Sequence, residues 1–186
     1  MTPERSEQPT RGETRNVRLV QLSAAAIHAL AAGDLAAANS AATITLTQDF
    51  VHPENASVWR RRSRQIEADP VSAAWITRAI WDIDSQMVVG RAGYHGPPDA
   101  AGMVEVGYAV DPIHRRHGYA RAALEALLRR AAREPSVRTV RATITLDNAP
   151  SRLLVAQYGF VEVGEQWDDE DGLETIYEVG SPAGSP

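Results

Sequence analysis

The sequence predicts a single domain of the mixed α/β class, and three observations support that prediction. The apolar run at residues 103–110 has the composition of a strand and leads through a glycine-containing turn into a long amphipathic helix. Residues 137–145 alternate apolar and polar side chains, as a half-buried strand does. With 186 residues, the chain is long enough to bury a sizeable core. Strands and helices that follow one another in this way are typical of the α/β class.

The first half of the chain is expected to contain three helices and three strands. Residues 1–13 are polar and include two prolines, so we expect a disordered tail before a domain that spans 14–179. Ser23 is a favourable N-cap and precedes an alanine-rich stretch that runs to about Ala32. The other expected elements are a strand at 15–22, a short helix beginning at 34–39, a helix over 53–67, and strands at 73–81 and 87–95.

The second half is expected to contain two helices and a terminal hairpin. A helix that opens at Arg115 and runs to about Glu134 carries alanines and leucines at helical spacing on one face. A shorter helix follows an Asp147 or Asn148 cap and stops at Gly159, which adopts the left-handed conformation easily. Strands at 161–166 and 174–179 form the hairpin, and a flexible tail is expected at 180–186.

Composition argues against several functional classes. The net charge is −5, from 24 acidic residues and 19 basic residues that are all arginine, which argues against general nucleic-acid binding. The chain has no cysteine, and its 5 histidines show no metal-ligand spacing, so no thiol nucleophile and no metal cofactor are expected. There is no apolar run of membrane-spanning length and no signal-like N-terminus. We therefore expect a cytoplasmic protein without a membrane partner.

The turn at residues 115–120 has the features of an anion-binding site. The first N–H groups of a helix lack intrahelical partners, and the helix dipole is positive at that end. Gly118 allows a phosphate to approach the backbone, while Arg115 and Arg116 add positive charge. The turn is not a P-loop, because the chain has no lysine, and it lacks the G-x-G-x-x-G dinucleotide pattern. A pyrophosphate is the predicted ligand.

Two motifs resemble the signatures of the GNAT superfamily of N-acetyltransferases. The pattern R-x-x-G-x-A, which begins at Arg115, resembles the acetyl-coenzyme A (acetyl-CoA) loop of that family. The pattern N-x-x-S, which begins at Asn148, and the short helix that ends at Gly159–Phe160 resemble its second signature. The resemblance covers about residues 14–179 and is sharpest over 103–160. It implies a central, twisted, mostly antiparallel mixed sheet that is flanked by helices and splays at the acetyl-CoA site.

The resemblance also implies which residues bind the coenzyme. The strand at 103–110 offers backbone groups to the pantetheine arm, and the turn that follows holds the pyrophosphate. His117 is expected to contribute its backbone N–H, and Tyr119 to pack either beside the coenzyme or on the sheet. The residues assigned to coenzyme binding are Ala109, Val110, Arg115, Arg116, His117, Gly118, Tyr119, Ala120, Asn148 and Ser151.

Glu105 is the first candidate for the base that deprotonates an amine. Strand alternation places it on the face that Gly107 and Ala109 share. Burial among apolar residues would raise its pKa and suit it to that role, directly or through water. The alternative is a carboxylate that pairs with an arginine or ends the strand. His95 ends a neighbouring strand and is a weaker candidate for a residue that faces the acceptor.

The group that protonates the coenzyme thiolate is harder to assign. Many members of the family carry a tyrosine four residues before the glycine of G-F, and Val155 stands at that position here. Ser151 is therefore the candidate donor, as in the subgroup of ribosomal-protein N-terminal acetyltransferases of the RimJ/RimL type, which the early residues also resemble. Alternatively, Ser151 and Asn148 only satisfy the N–H groups at the start of a helix.

The combined interpretation is an acetyl-CoA-dependent N-acetyltransferase that acts by direct transfer to a primary amine. The acceptor is either a protein N-terminus or a small-molecule amine, and a homodimer is expected because dimers are common in the family. The arginines at 60–64 and the acidic residues at 168–171 favour acceptors of opposite charge. Val155 motivates the alternative of a catalytically inactive, coenzyme A-binding regulatory or sensor module. A structural domain that binds no coenzyme is a third possibility.

Overall fold

A seven-stranded sheet organises the structure, a computed structural model that describes residues 15–181. The strands are β1 (Val17–Val20), β2 (Arg78–Asp82), β3 (Met87–Tyr94), β4 (Met103–Val110), β5 (Thr139–Thr145), β6 (Val161–Asp168) and β7 (Gly172–Gly180). The helices are α1 (Ala24–Ala31), α2 (Leu35–Ala41), α3 (Ala56–Ala68), α4 (Tyr119–Ala131) and α5 (Ala149–Ala156). The tail expected at 1–13 and most of the tail expected at 180–186 lie outside the described residues.

The strand order is β1-β2-β3-β4-β5-β7-β6, and every neighbouring pair is antiparallel except β4 and β5. The parallel pair is short: Met103, Val104 and Glu105 pair with Thr139, Val140 and Arg141, and the strands then part. On its other edge β4 stays paired with β3 as far as Val110, and β5 stays paired with β7 as far as Thr145. The predicted mostly antiparallel mixed sheet, splayed in its middle, is therefore confirmed.

Each face of the sheet carries its own apolar core. Helices α4 and α5 cover one face, where Leu124, Leu127 and Val155 are buried. Helices α1 to α3 cover the other, where the rings of Phe50 and Trp59 stack with centroids 5.5 Å apart. The sheet is held between helical layers on both sides, so strand residues on both faces are fixed in place.

Of the strand predicted at 73–81, only the second half is present, and the prediction for the first half is wrong. Pro70 opens a 3₁₀ turn that runs to Ala74, and the Asp69 carboxylate caps this turn. That carboxylate accepts hydrogen bonds from the Val71 N–H at 3.1 Å and from the Ser72 hydroxyl at 3.0 Å. The capped turn delays the strand, and β2 begins only at Arg78.

Helix boundaries differ from the prediction for similar local reasons. The helix predicted to open at Arg115 begins at Tyr119, because Arg116 and Gly118 have φ values of +63° and +85°. The helix predicted over 53–67 begins at Ala56, after a 3₁₀ turn. The predicted Ser23 cap of α1 and the Gly159 stop after α5, with φ of +76°, are both present.

The terminal hairpin is present, but its strands are longer than expected. Strand β7 extends to Gly180, and the Ser181 N–H donates to the Arg138 carbonyl at 2.8 Å. The ordered domain thus continues past residue 179, where the sequence predicted its end. Because β7 lies between β5 and β6, the hairpin turn reaches α3, where Arg61 contacts Glu170 at 3.2 Å. Among residues 15–181, no helix is both long and apolar enough to span a bilayer.

Candidate active site

The parting of β4 and β5 opens a cavity of about 260 Å³ in the middle of the sheet. Its walls come from β3, β4, β5, helix α3, the first turn of α5 and the β6–β7 hairpin. Beyond Glu105 and Arg141, the facing edges of the two strands have no strand partner. Backbone groups on such edges need another hydrogen-bonding partner, and a ligand can supply it.

A histidine and a threonine connect Glu105 to this cavity. The carboxylate accepts a hydrogen bond from the Thr143 hydroxyl, and the His95 Nδ1 lies 3.3 Å from its Oε1. The Glu105 side chain is 19% exposed, whereas the His95 side chain is 40% exposed. His95 and Thr143 line the cavity directly, with Glu105 immediately behind them. The pair is suited to moving a proton, because the carboxylate can compensate a charge on the imidazole.

The pKa of Glu105 is lowered overall, so the rise that was expected from burial is wrong. Burial is the largest single influence and does raise it. The contact with His95, the charge of His95 and the Thr143 hydrogen bond together outweigh burial, so the pKa lies below the usual value of a glutamate. Glu105 is therefore a carboxylate at neutral pH.

A second hydroxyl group faces the cavity from the opposite face of β4. Tyr108 lines the cavity, and its hydroxyl is buried without a hydrogen-bond partner among the described residues. Burial raises the pKa of Tyr108, and the nearby Ser151 side chain lowers it by less. A buried hydroxyl without a hydrogen bond is uncommon in a folded protein, and the Ser151 side chain, a water molecule or a ligand atom can complete its hydrogen bonding.

The start of α5 brings two of the predicted residues to the same place. The Asn148 Oδ1 accepts a hydrogen bond from the Ser151 N–H at 3.2 Å, so the predicted helix cap is present. Both side chains also line the cavity, as does Ala109. Capping and ligand contact are therefore compatible roles for Asn148.

The arginine-flanked turn follows β4 directly. The N–H groups of Arg116, His117 and Gly118 donate to no backbone or side-chain acceptor among the described residues, as an anion site requires. The turn is fixed from outside, since the Arg15 Nε donates to the His117 carbonyl at 2.9 Å. The Arg115 Nε folds back to the Val110 carbonyl at 3.3 Å.

The sequence left open whether Tyr119 packs beside the coenzyme or on the sheet, and in the structure it packs on the sheet. Its side chain is buried in the core, and its hydroxyl donates to the Asp82 Oδ2 at 2.8 Å. Only its backbone is therefore available to a ligand at the turn. Ala120, the last residue of the motif, packs against the same core.

Sequence reasoning did not place Tyr108 in the site and named Arg62 only as one of the arginines at 60–64 that favour an anionic acceptor, although signals for the position of both residues were present. Arg62 shares a helical face with Trp59 and Ile66, a spacing that places it on the buried side of α3. Tyr108 alternates with Val106 in β4, which places it on a packed face of the sheet. Polar groups at such apolar positions are costly to bury and are candidates for function.

Among residues 15–181, no group of three or more histidine, aspartate or glutamate side chains is arranged to hold a metal ion. The cavity instead carries the acid–base pair, the unpartnered hydroxyl and the unpaired strand edges. These features lie together in the gap between β4 and β5.

Comparison with known proteins identifies the family of the chain. The acetyltransferase (GNAT) domain model matches residues 17–161, so the chain belongs to the GNAT family and is an acetyltransferase. It is also 35% identical over 78 residues to the uncharacterized N-acetyltransferase YjdG of Bacillus subtilis (strain 168), an alignment that covers 42% of this chain and 46% of that relative. The matched region thus spans less than half of the curated relative.

Several solved structures share the fold. The ribosomal-protein-S5-alanine acetyltransferase of Vibrio fischeri has a TM-score of 0.60 at 16% identity, with 97% of this chain and 100% of that chain covered. The spermidine N-acetyltransferase of Vibrio cholerae in complex with CoA and spermine has a TM-score of 0.55 at 13% identity, with 66% and 73% covered. At these identities the similarity establishes the fold alone.

The turn can be tested through the positive φ of Gly118. No heavy atom lies closer than 3.8 Å to the position of an added Cβ, so Gly118→Ala strains the backbone rather than its surroundings. We expect acetyl-CoA affinity to fall about tenfold or more, as measured by calorimetric titration.

Gly33→Ala is the matched control. Gly33 has φ of +76° and open space around it, and it follows α1, away from the turn. Both variants should lose a similar unfolding free energy, about 1–2 kcal/mol, but only Gly118→Ala should lose affinity. Equal affinity of the two variants would contradict the assigned role of the turn.

Proposed function

We propose that this protein is an acetyl-CoA-dependent N-acetyltransferase that transfers the acetyl group directly to a primary amine in the cavity between β4 and β5. One observation carries the proposal: an acid–base pair and an unpartnered hydroxyl reach a single cavity from opposite faces of β4. Family membership supports acetyl-CoA as the donor. An amine acceptor is supported by the name of the curated relative, an N-acetyltransferase.

The residues present fit the coenzyme. The free N–H groups at 116–118 suit a pyrophosphate, with Arg115 and Arg116 adding positive charge. The open edge of β4 at Val106 and Tyr108, whose peptide groups point away from β3, suits the amide groups of a pantetheine arm. Asn148 and Ser151 flank the same path. When bound, the coenzyme supplies a thioester, which is an activated acetyl group.

Glu105 acts on the amine side of the reaction. As a carboxylate, it attracts the ammonium form of the acceptor and receives its proton through water or through His95. The amine nitrogen then attacks the thioester carbonyl carbon, forming the C–N bond. Unpaired N–H groups on the edge of β4 are available to stabilise the resulting oxyanion.

Tyr108 and Ser151 act on the thiolate side. As the C–S bond breaks, the Tyr108 hydroxyl, which lies beside Ser151, gives its proton to the departing sulfur. The attacking nitrogen loses its second proton as the amide forms, and that proton passes through water to the phenolate and restores the Tyr108 hydroxyl. Val155, which stands where many family members have a tyrosine, is fully buried at 0% exposure. We assign the protonation of the thiolate to Tyr108, whose hydroxyl comes from β4 rather than from α5.

A coenzyme-release assay tests the function. Purified protein is mixed with acetyl-CoA and a panel of amines: peptides with free N-termini, spermidine and free amino acids. We expect release of free thiol that depends on an acceptor, and a fall in kcat of about 100-fold in Glu105→Gln. Calorimetry should show acetyl-CoA binding unchanged in that variant. Tight binding without transfer to any amine would support the regulatory alternative, and absence of binding would overturn the proposal.

The pH dependence separates Glu105 from His95. If Glu105 is the base, activity falls as pH drops through its pKa, which lies below the ordinary value. His95→Gln removes two influences that lower this pKa, while burial continues to raise it. The acidic limb of the kcat/KM profile should therefore move to higher pH. Thr143→Val should move it less, since the Thr143 hydrogen bond is a smaller influence. A His95→Gln variant as inactive as Glu105→Gln would assign the base to His95.

Removing the Tyr108 hydroxyl tests the proton donor. Tyr108→Phe keeps the ring but should lower kcat about tenfold to 100-fold, with little change in the KM for acetyl-CoA. Tyr158→Phe is the matched control, because that hydroxyl bonds to Glu125 and lies outside the cavity. Steady-state kinetics of both variants make the comparison. Full kcat in Tyr108→Phe would return the role to Ser151.

A further inference from the structure

A buried arginine borders the cavity without a carboxylate partner. Arg62 on α3 is 5% exposed, and its guanidinium donates to three neutral groups. The acceptors are the Thr77 hydroxyl at 3.1 Å, the Gln65 amide oxygen at 3.0 Å and the His95 carbonyl at 3.0 Å. Among the described residues, no carboxylate lies within 4.0 Å of this guanidinium, and its Nη2 makes no hydrogen bond.

The positive charge of Arg62 is energetically strained in this position. Burial, and to a smaller extent the neighbouring Arg61, lower the pKa of Arg62 to about 10, with Glu105 opposing them only in part. A buried charge without a counter-ion is costly, and an anion that enters beside it recovers part of that cost. Arg62 lines the cavity, so a ligand can reach it.

Other guanidinium groups extend this positive wall. Arg91 on β3 also lines the cavity, is 14% exposed, and has its nearest carboxylate, Asp49, at 3.9 Å. An outer pocket continues from His95 and Arg62 along α3 to Arg61 and Arg64. A polyamine that entered by this route would meet repulsion from each of these groups.

The opposite wall of the same cavity is acidic. Glu174 on β7 is 8% exposed, and the hydrogen bond recorded to its side chain comes from the Gln166 amide at 3.0 Å. No arginine or histidine among the described residues lies within 4.0 Å of its carboxylate. Asp171 lines this side as well. Among the described residues of the cavity lining, Arg62 therefore has no carboxylate partner, and Glu174 and Asp171 have no cationic partner.

We propose that the acceptor is a small zwitterionic amine, of the amino-acid class, whose carboxylate binds Arg62 while its amine lies on the side of Glu174 and the Glu105–His95 pair. This inference rests on the proposed function and narrows its acceptor to one class. The cavity volume, about 260 Å³, lies below the range of about 300–1,000 Å³ for pockets that hold drug-sized ligands. The Nη2 of Arg62, whose other donors are bonded to Thr77, Gln65 and His95, can donate to a ligand carboxylate, and such a charge-assisted hydrogen bond is stronger than a neutral one.

Matched acceptors test the inference on the unaltered protein. Each of the twenty amino acids, with β-alanine and 4-aminobutyrate, is compared with its own amide, which has the same reactive amine without the carboxylate. Spermidine serves as the acceptor without an anion. We expect kcat/KM to be roughly ten- to 100-fold higher for the best amino acid than for its amide.

Variants locate the effect at Arg62. Arg62→Gln should lower the preference for the amino acid over its amide, measured as the ratio of their kcat/KM values, about tenfold or more. Arg60→Gln is the control, because Arg60 is exposed on the same helix and lines neither the cavity nor the outer pocket. Thermal unfolding of both variants shows whether Arg62→Gln is folded, and the acid–amide comparison on the wild type stands independently of it.

The outcomes separate the two proposals. Amides or spermidine used as well as amino acids would overturn the zwitterionic acceptor and leave the N-acetyltransferase intact. An equal loss for acid and amide in a folded Arg62→Gln variant would assign Arg62 a purely structural role and also overturn the inference. If no amine of any kind is acetylated, the proposed function fails and this inference fails with it.

Discussion

The short parallel pairing of β4 and β5 is the constraint on which the site depends. Three residue pairs hold the strands together, and beyond Glu105 and Arg141 each strand stays bonded only to its outer neighbour. On the β7 side, the Arg141 guanidinium contacts the Glu178 carboxylate at 2.6 Å. The gap exposes two rows of peptide groups inside a sheet that is otherwise paired, and such groups require partners. Alternation along β4 then delivers Glu105 and Tyr108 to opposite sides of one opening.

The electrostatics of the cavity follow from which helices and strands carry its charged side chains. Helix α3 and strand β3 supply guanidinium groups, whereas β4 and β7 supply carboxylates. At the exposed mouth the two signs meet, as Arg61 and Glu170 do, and such a pair is worth little in water. Inside, Arg62 and Glu174 stay apart, each held by neutral hydrogen bonds. His95 occupies the boundary, because its carbonyl accepts from Arg62 and its ring contacts Glu105.

Sequence reasoning predicted the parts of this arrangement that local patterns determine. The bounds of β4 and the Asn148 cap follow from an apolar run and a favourable cap, which depend on neighbours in the chain. The start of α4 was misplaced, because two left-handed residues before it depend on the fold around the turn. The direction of the Glu105 pKa was also wrong, since it depends on His95 and Thr143, which strand pairing brings together. Roles in the cavity for Arg62 and Tyr108 required knowledge of where the strands part.

The bond between Tyr119 and Asp82 has a consequence for the turn that precedes α4. Burial raises the pKa of Asp82, but hydrogen bonds from Ser85 and Tyr119 lower it more, so the partner of the tyrosine is a charged carboxylate. Such charge-assisted bonds are stronger than neutral ones and anchor the first residue of α4 to β2. With Arg15 holding the His117 carbonyl from outside, the turn is preorganised before any ligand arrives. Because the turn is already ordered, an anion that binds there costs the turn little conformational entropy. Even modest contacts to its peptide groups therefore contribute to affinity.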